Sequence, residues 1–158
     1  MIEYVFTILI ASILFAVLLM SLQSILTRSD QLIMSEEMDI TASIVANQLS
    51  DYSSGLRLND YSGSYSLADS QDSARYFSMP KPYGDKQYSI DVSDSLLDAT
   101  THRGVVKVTF LSDPDVYSVF TFNTPYPVQH NTIICNTYNL KVSLTTVGTD
   151  KYISLGEV

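Results

Sequence analysis

The chain is poor in charge, cysteine, histidine and basic residues. Only 16% of its 158 residues are charged, against about 25% in an ordinary globular chain. The deficit is local. Residues 4–27 contain no charged residue at all, and the remainder reads as an acidic, polar domain. Nine Lys+Arg stand against seventeen Asp+Glu, for a net charge of −8. That balance argues against a nucleic-acid binder, which needs a basic patch to meet phosphates. One cysteine excludes an intrachain disulfide framework, and two histidines exclude a Cys/His zinc cluster. Ser and Thr, by contrast, are abundant, as suits a surface-exposed or secreted protein.

The uncharged stretch runs from Tyr4 to Thr27. As a helix it is roughly 36 Å long, enough to cross a hydrocarbon core of about 30 Å. It contains neither Gly nor Pro, so nothing in it kinks the helix. A cleaved secretory signal fits less well, because that needs a basic n-region and a shorter apolar core. Here the start is Met1-Ile2-Glu3, and the first basic residue is Arg28, beyond the apolar stretch. The positive-inside rule places Lys or Arg on the cytoplasmic flank. Two expectations satisfy it: a basic leader already removed, or an N-terminus that faces out. The residues encoded before Met1 distinguish them.

The apolar pattern continues as a stripe of Leu32, Ile33, Met34, Met38, Ile40, Ile44, Val45 and Leu49, at helical spacing. Ser35, Glu36, Glu37, Asp39, Thr41, Asn47 and Gln48 fill the other face. No Gly or Pro occurs before Gly55. The pattern predicts one helix from about residue 3 to about 51, apolar all round over 1–27 and amphipathic over 28–51. A single-pass anchor followed by a separate helix is the alternative.

Residues 52–86 are rich in Ser, Gly, Tyr and Asp and read as a connecting loop, with a short helical turn near Ala68–Tyr76. Tyr52, Tyr61, Tyr65, Tyr76, Tyr83 and Tyr88 fall in or beside it. Rings there pack the loop while their hydroxyls stay wet, or else they form an exposed contact surface. From residue 87 the period becomes two: Tyr88/Ile90/Val92, Val106/Val108/Phe110, Phe120/Phe122, Leu140/Val142/Leu144 and Ile153/Leu155. Such alternation marks half-buried antiparallel strands. Ser112-Asp-Pro-Asp115 is a turn that makes 104–123 a hairpin. The fold class is therefore α+β: a long N-terminal hydrophobic helix followed by an antiparallel β-domain over 87–158, each covering the other's apolar face.

The sequence offers little chemistry. It has no Gly-rich phosphate loop and no GxSxG elbow. His102 and His130 read as loop residues with no near partner at ligand spacing. Cys135, in Thr-Ile-Ile-Cys-Asn, reads as a buried, inert thiol. Asp91, Asp94 and Asp98 lack the spacing and Gly of an EF-hand. No Asn-x-Ser/Thr sequon is present. The expectation is no enzyme, no cofactor, no metal, no nucleic acid and no small-molecule substrate.

An N-terminal glycine-free apolar helix, an early acidic residue, an amphipathic continuation and a C-terminal β-domain together resemble a mature type IV pilin-like subunit. The run Glu3-Tyr-Val-Phe-Thr-Ile-Leu-Ile-Ala-Ser-Ile-Leu-Phe resembles archaeal more than bacterial members, which usually place the Glu at the fifth position. The glycine-rich start typical of archaellins is absent. The resemblance implies a membrane-anchored precursor, a processing peptidase and assembly machinery. It also implies self-association into an extracellular helical filament at the cell surface, used for adhesion or cell contact. The implied filament-core residues are Glu3, Tyr4, Val5, Phe6, Ile8, Leu9, Ile10, Ile13, Leu14, Phe15, Val17, Leu18, Leu19, Leu22, Ile25 and Leu26. Glu3 would neutralise an N-terminal amine inside the apolar core, or else sit solvated at a membrane surface. The competing functions are a monomeric membrane-anchored binding module and a minor pilin or pseudopilin of a secretion machine.

Overall fold

The structure is a computed structural model that describes residues 2–61, 74–82, 86–97, 101–147 and 150–158. Among the described residues, helix α1 (Ile2–Tyr61) is followed by seven strands. These are β1 (Arg75–Ser78), β2 (Tyr88–Leu96), β3 (His102–Phe110), β4 (Tyr117–Thr124), β5 (Asn131–Ile134), β6 (Asn139–Val147) and β7 (Asp150–Glu157). All ladders between them are antiparallel. One sheet has the order β1-β6-β7 and the other β4-β3-β2-β5. The class is α+β, as the periodicities imply. The chain divides into two compact units, Met1–Met34 and Ser35–Val158.

Within the second unit, one face of α1 is buried through Met38, Ala42, Val45, Ala46, Leu49, Tyr52 and Leu56. These recur at steps of three and four, the spacing that lines up side chains on one side of a helix. Of the residues the sequence pattern places in the stripe, Met34, Met38, Val45 and Leu49 are buried, but Leu32, Ile33 and Ile40 are exposed and Ile44 is half-buried. At about 100° per residue, 40 and 44 lie well round the helix from 38, 42, 45 and 49. Ala42 and Ala46 take the inward places instead, with Thr41 and Ser53 beside them. The Ser53 hydroxyl donates to its own helix at Ser50 O (2.8 Å), so its burial leaves no orphan donor.

The helix also runs ten residues past its expected end at 51, straight through Gly55. A mid-helix Gly costs about 1 kcal/mol. Burial of Tyr52 and Leu56 on either side of it outweighs that cost. Residues 52–61, expected in the connecting loop, are therefore helical, and Arg75–Ser78, also expected there, form β1, which pairs with β6 from Arg75↔Val142 to Ser78↔Asn139. Tyr76, expected in a helical turn, is an exposed strand residue, while residues 68–73 of that turn lie outside the described residues. Of the six clustered tyrosines, Tyr52 and Tyr88 are buried and Tyr76 is exposed; Tyr65 and Tyr83 lie outside the described residues, and Tyr61 ends the helix.

The strands alternate as read except at two positions: Phe120 on β4 is exposed although Phe122 is buried, and Leu144 on β6 is only half-buried. Tyr88, Ile90 and Val92 on β2, and Val106, Val108 and Phe110 on β3, are fully buried. Leu140 and Val142 on β6 and Ile153 and Leu155 on β7 close the core from the second sheet. The 104–123 hairpin forms as β3 and β4, and its turn carries Val116 N–H donating to Asp113 O at 3.0 Å. The two sheets are tied where Val128 bridges Ile153, with Gln129 N–H donating to Ile153 O and Ile153 N–H to Pro127 O. Asn131 Nδ2 adds a bond to Leu155 O at 2.8 Å.

Gly104 sits opposite Phe122, whose ring lies over it. A Cβ on Gly104 would fall 2.3 Å from Phe122 Cζ, inside the contact limit. Glycine in a strand interior is ordinarily costly; here the cross-strand ring covers the bare backbone. Gly104→Ala is expected to destabilise the β-domain by about 1–3 kcal/mol as the ring is displaced. Denaturant unfolding of the detergent-solubilised chain followed by near-ultraviolet dichroism measures this, and an unchanged midpoint would show that the ring is not pinned.

Candidate functional site

The candidate site is the surface of α1 over residues 3–27. Leu, Ile, Val and Phe are strong helix or membrane-helix formers and no breaker interrupts them. The segment is one helix long and apolar enough to cross a membrane, lying near the N-terminus. None of its most apolar window is buried. The predicted residues Tyr4, Val5, Phe6, Ile8, Leu9, Ile10, Ile13, Leu14, Phe15, Val17, Leu18, Leu19, Leu22, Ile25 and Leu26 are each between 51% and 74% exposed. Because these positions cover every direction around a helix, no single apolar face exists: the whole circumference is apolar. A soluble monomer rarely exposes a contiguous apolar patch beyond a few hundred Å², so this surface requires cover.

Three of the hydroxyls in the segment bond back to its own helix. Thr7 Oγ1 donates to Glu3 O at 2.9 Å, Ser12 Oγ to Ile8 O at 2.8 Å and Thr27 Oγ1 to Gln23 O at 2.9 Å. Each hydroxyl is thereby satisfied within its own helix. Between Val5 and Met20 these leave no open side-chain donor, since Thr7 and Ser12 are the only polar residues there. Glu3 lies in the first helical turn and is exposed, where its negative charge complements the helix dipole.

The other residues singled out in the sequence behave differently. His102 is not in a loop; it opens β3, and its Nδ1 lies 2.8 Å from Asp94 Oδ2, with both side chains about one-fifth exposed. The antiparallel ladder puts Leu96 opposite His102 and Asp94 opposite Gly104, which brings a carboxylate eight residues away into contact. The signal was the alternation itself, because 102 is in phase with 104, 106 and 108. The loop residue His130 has Nδ1 3.1 Å from Val92 O and 3.7 Å from Asp91 Oδ1. Asp91 and Asp94 are three apart on a regular strand, so they face opposite sides; Asp98 lies outside the described residues. Among the described residues no group of three or more His, Cys, Asp and Glu side chains is placed to hold a metal ion.

Cys135 is fully buried, its N–H donating to Tyr88 O at 3.0 Å. Burial, and then the nearby Glu157 charge, push its thiol up to about 12. Burial likewise raises the Tyr88 hydroxyl, which donates to Pro80 O. The turn after Cys135 is gripped by Glu157. Thr137 N–H and Asn136 N–H each donate to Glu157 Oε1 at 2.6 Å, and Thr137 Oγ1 donates at 3.1 Å. The Thr137 and Asn136 amides hold the Glu157 carboxyl below its usual value. Tyr138 follows with φ 57°, a left-handed conformation uncommon for an aromatic residue. Its carbonyl accepts from Met79 N–H and its ring meets Tyr88 at 5.9 Å.

No protein-family model, curated protein or solved structure matches this chain. The arrangement itself, one long apolar N-terminal helix and a C-terminal antiparallel β-domain, is pilin-like in architecture.

Two outcomes are expected. The Glu157 carboxyl is lower in the folded state, so its contribution is complete above the ordinary carboxylate range and is lost as pH falls through the lowered value. Unfolding midpoints measured from about pH 6 down to about pH 3 should fall less steeply in Glu157→Gln than in the parent; equal slopes would remove Glu157 from the account. Cys135 should resist maleimide in the native chain and react at least about tenfold faster in denaturant; native labelling at the rate of a free thiol would contradict its burial.

Proposed function

We propose that this chain is a self-assembling structural subunit of an extracellular, type IV pilus-like filament of the archaeal kind, used for adhesion or cell contact. The observation that carries the reading is the continuity of α1. One unbroken helix supplies an apolar circumference over residues 4–27 and the strand-covering face at Met38–Leu56. In the precursor, lipid covers the apolar part. A processing peptidase and assembly machinery then transfer it, and neighbouring copies replace the lipid. Residues Tyr4 to Leu26 are the buried core of the polymer in this reading, and the β-domain is its outer layer. The contacts are heterologous and do not close, the symmetry class of open filaments. Burial of so much apolar surface is worth tens of kcal/mol before entropy, at about 25 cal/mol per Å². The subunit has no catalytic role and binds no cofactor.

A monomeric membrane-anchored protein with an extracytoplasmic β-domain is the second reading, favoured by the same span-length helix. Electron microscopy of material sheared from producing cells separates the two. The filament reading expects helical polymers of the 17.6 kDa subunit, lost when Leu14 is replaced by Asp. Recovery of the chain only as detergent-soluble monomers from the membrane fraction would overturn it.

A further inference from the structure

Glu3 and Arg28 are the charges that bound the apolar segment, one at each end. Glu3 is the only acidic residue before Asp30, and Arg28 is the only basic residue before Arg57. Both are exposed, and neither side chain has a hydrogen-bond or ion-pair partner among the described residues. They cannot meet within one chain. Twenty-five positions on a continuous helix set them about 37 Å apart. Asp30 does not neutralise Arg28, because side chains two apart on a helix point in different directions.

In a bilayer this spacing suits both charges. A helix of about 37 Å across a hydrocarbon core of about 30 Å puts each end in the wet interface. In a polymer core the same charges lose water, and an unpaired buried charge is strongly unfavourable. Among the charged side chains that bound the segment, the opposite charge for each is then the other end on another copy. Resting on the filament reading above, we propose that Glu3 of one copy pairs with Arg28 of a parallel neighbour. The two helices are offset along their axes by about one apolar length, roughly 37 Å. The occupant of the Arg28 end is thus a second copy of this chain. Arg28 supplies a planar fork of donors that matches a carboxylate. The contact is head-to-tail: each copy offers Glu3 in one direction and Arg28 in the other, so it propagates without closing. Insertion into a membrane from one side keeps the copies parallel. An antiparallel pair would instead bring both ends together twice and stop at a dimer.

Two measurements on the full chain in producing cells test this. The first is charge exchange. Glu3→Arg alone and Arg28→Glu alone are each expected to cut filament yield at least about tenfold, and the double exchange to restore it. Loss in Glu3→Gln with full assembly in Arg28→Gln would overturn the pairing, because Glu3 would then answer to another group such as a free amine. The second leaves the pair intact. Tyr4→Cys and Ser29→Cys are combined in a Cys135→Ala background and treated with a bis-maleimide spanning about 8–10 Å, longer than the reach of a disulfide. A ladder of covalent multimers is expected from the double variant, dimers alone from a mixture of the two single variants, and monomers from each single variant. A double variant that halts at dimers, or filaments that yield no cross-link, would overturn the staggered pair while the filament reading stands. Absence of filaments from the unsubstituted chain would overturn both.

Discussion

An apolar surface that runs all the way round a helix cannot be covered by the chain that carries it. Residues 4–27 place that demand on this protein, since an uncharged helix with no polar side has no orientation in which water is tolerable. Lipid or other protein must supply the cover. The composition, the charge placement and the absence of helix breakers all follow from the need to form such a surface and keep it helical. In its first half, hydroxyls occur where the helix's own carbonyls absorb them, at Thr7 and Ser12.

The second unit solves the opposite problem. Here helix and strands each own half of a core and bury it against one another. Met38, Val45 and Leu49 of the helix are buried, as are Ile90 and Val108 from one sheet and Val142 and Ile153 from the other. What keeps the sheets in register is mostly backbone. The Pro127–Gln129 segment pairs with Ile153, and Asn131 reaches Leu155. The Glu157 carboxylate gathers two adjacent amides of the turn before β6. That grip, with Met79 bonded to the Tyr138 carbonyl, holds a left-handed tyrosine that would otherwise relax.

Much of this is legible in the sequence itself, because the two dominant signals are periodic. The helix and the longer strands announce themselves through 3.6- and 2-residue repeats, and the turn at Ser112–Asp115 through its proline and aspartates. What was illegible depends on sequence-distant contact. Ile40 and Ala42 are both apolar; that the smaller one faces inward is decided by where the strands lie. Gly55 looks like a stop signal, and only the burial of Tyr52 and Leu56 explains why the helix ignores it. β1 is four residues long, too short to show alternation, and exists because β6 offers it an edge. His102 finds Asp94 only once β2 and β3 pair. At the candidate site the sequence alone supplied the residues, and the structure adds that all of them are uncovered.

The back-bonded hydroxyls of Thr7 and Ser12 carry one more consequence. From Val5 to Met20 the helix offers a neighbour no directional handle, only methyl and methylene groups and the ring faces of Phe6 and Phe15. Dispersion and apolar burial change smoothly as two such surfaces slide, whereas hydrogen bonds break abruptly. A filament built on such helices, as proposed above, takes no register from this stretch, and the alignment of neighbours rests on its charged ends, Glu3 and Arg28.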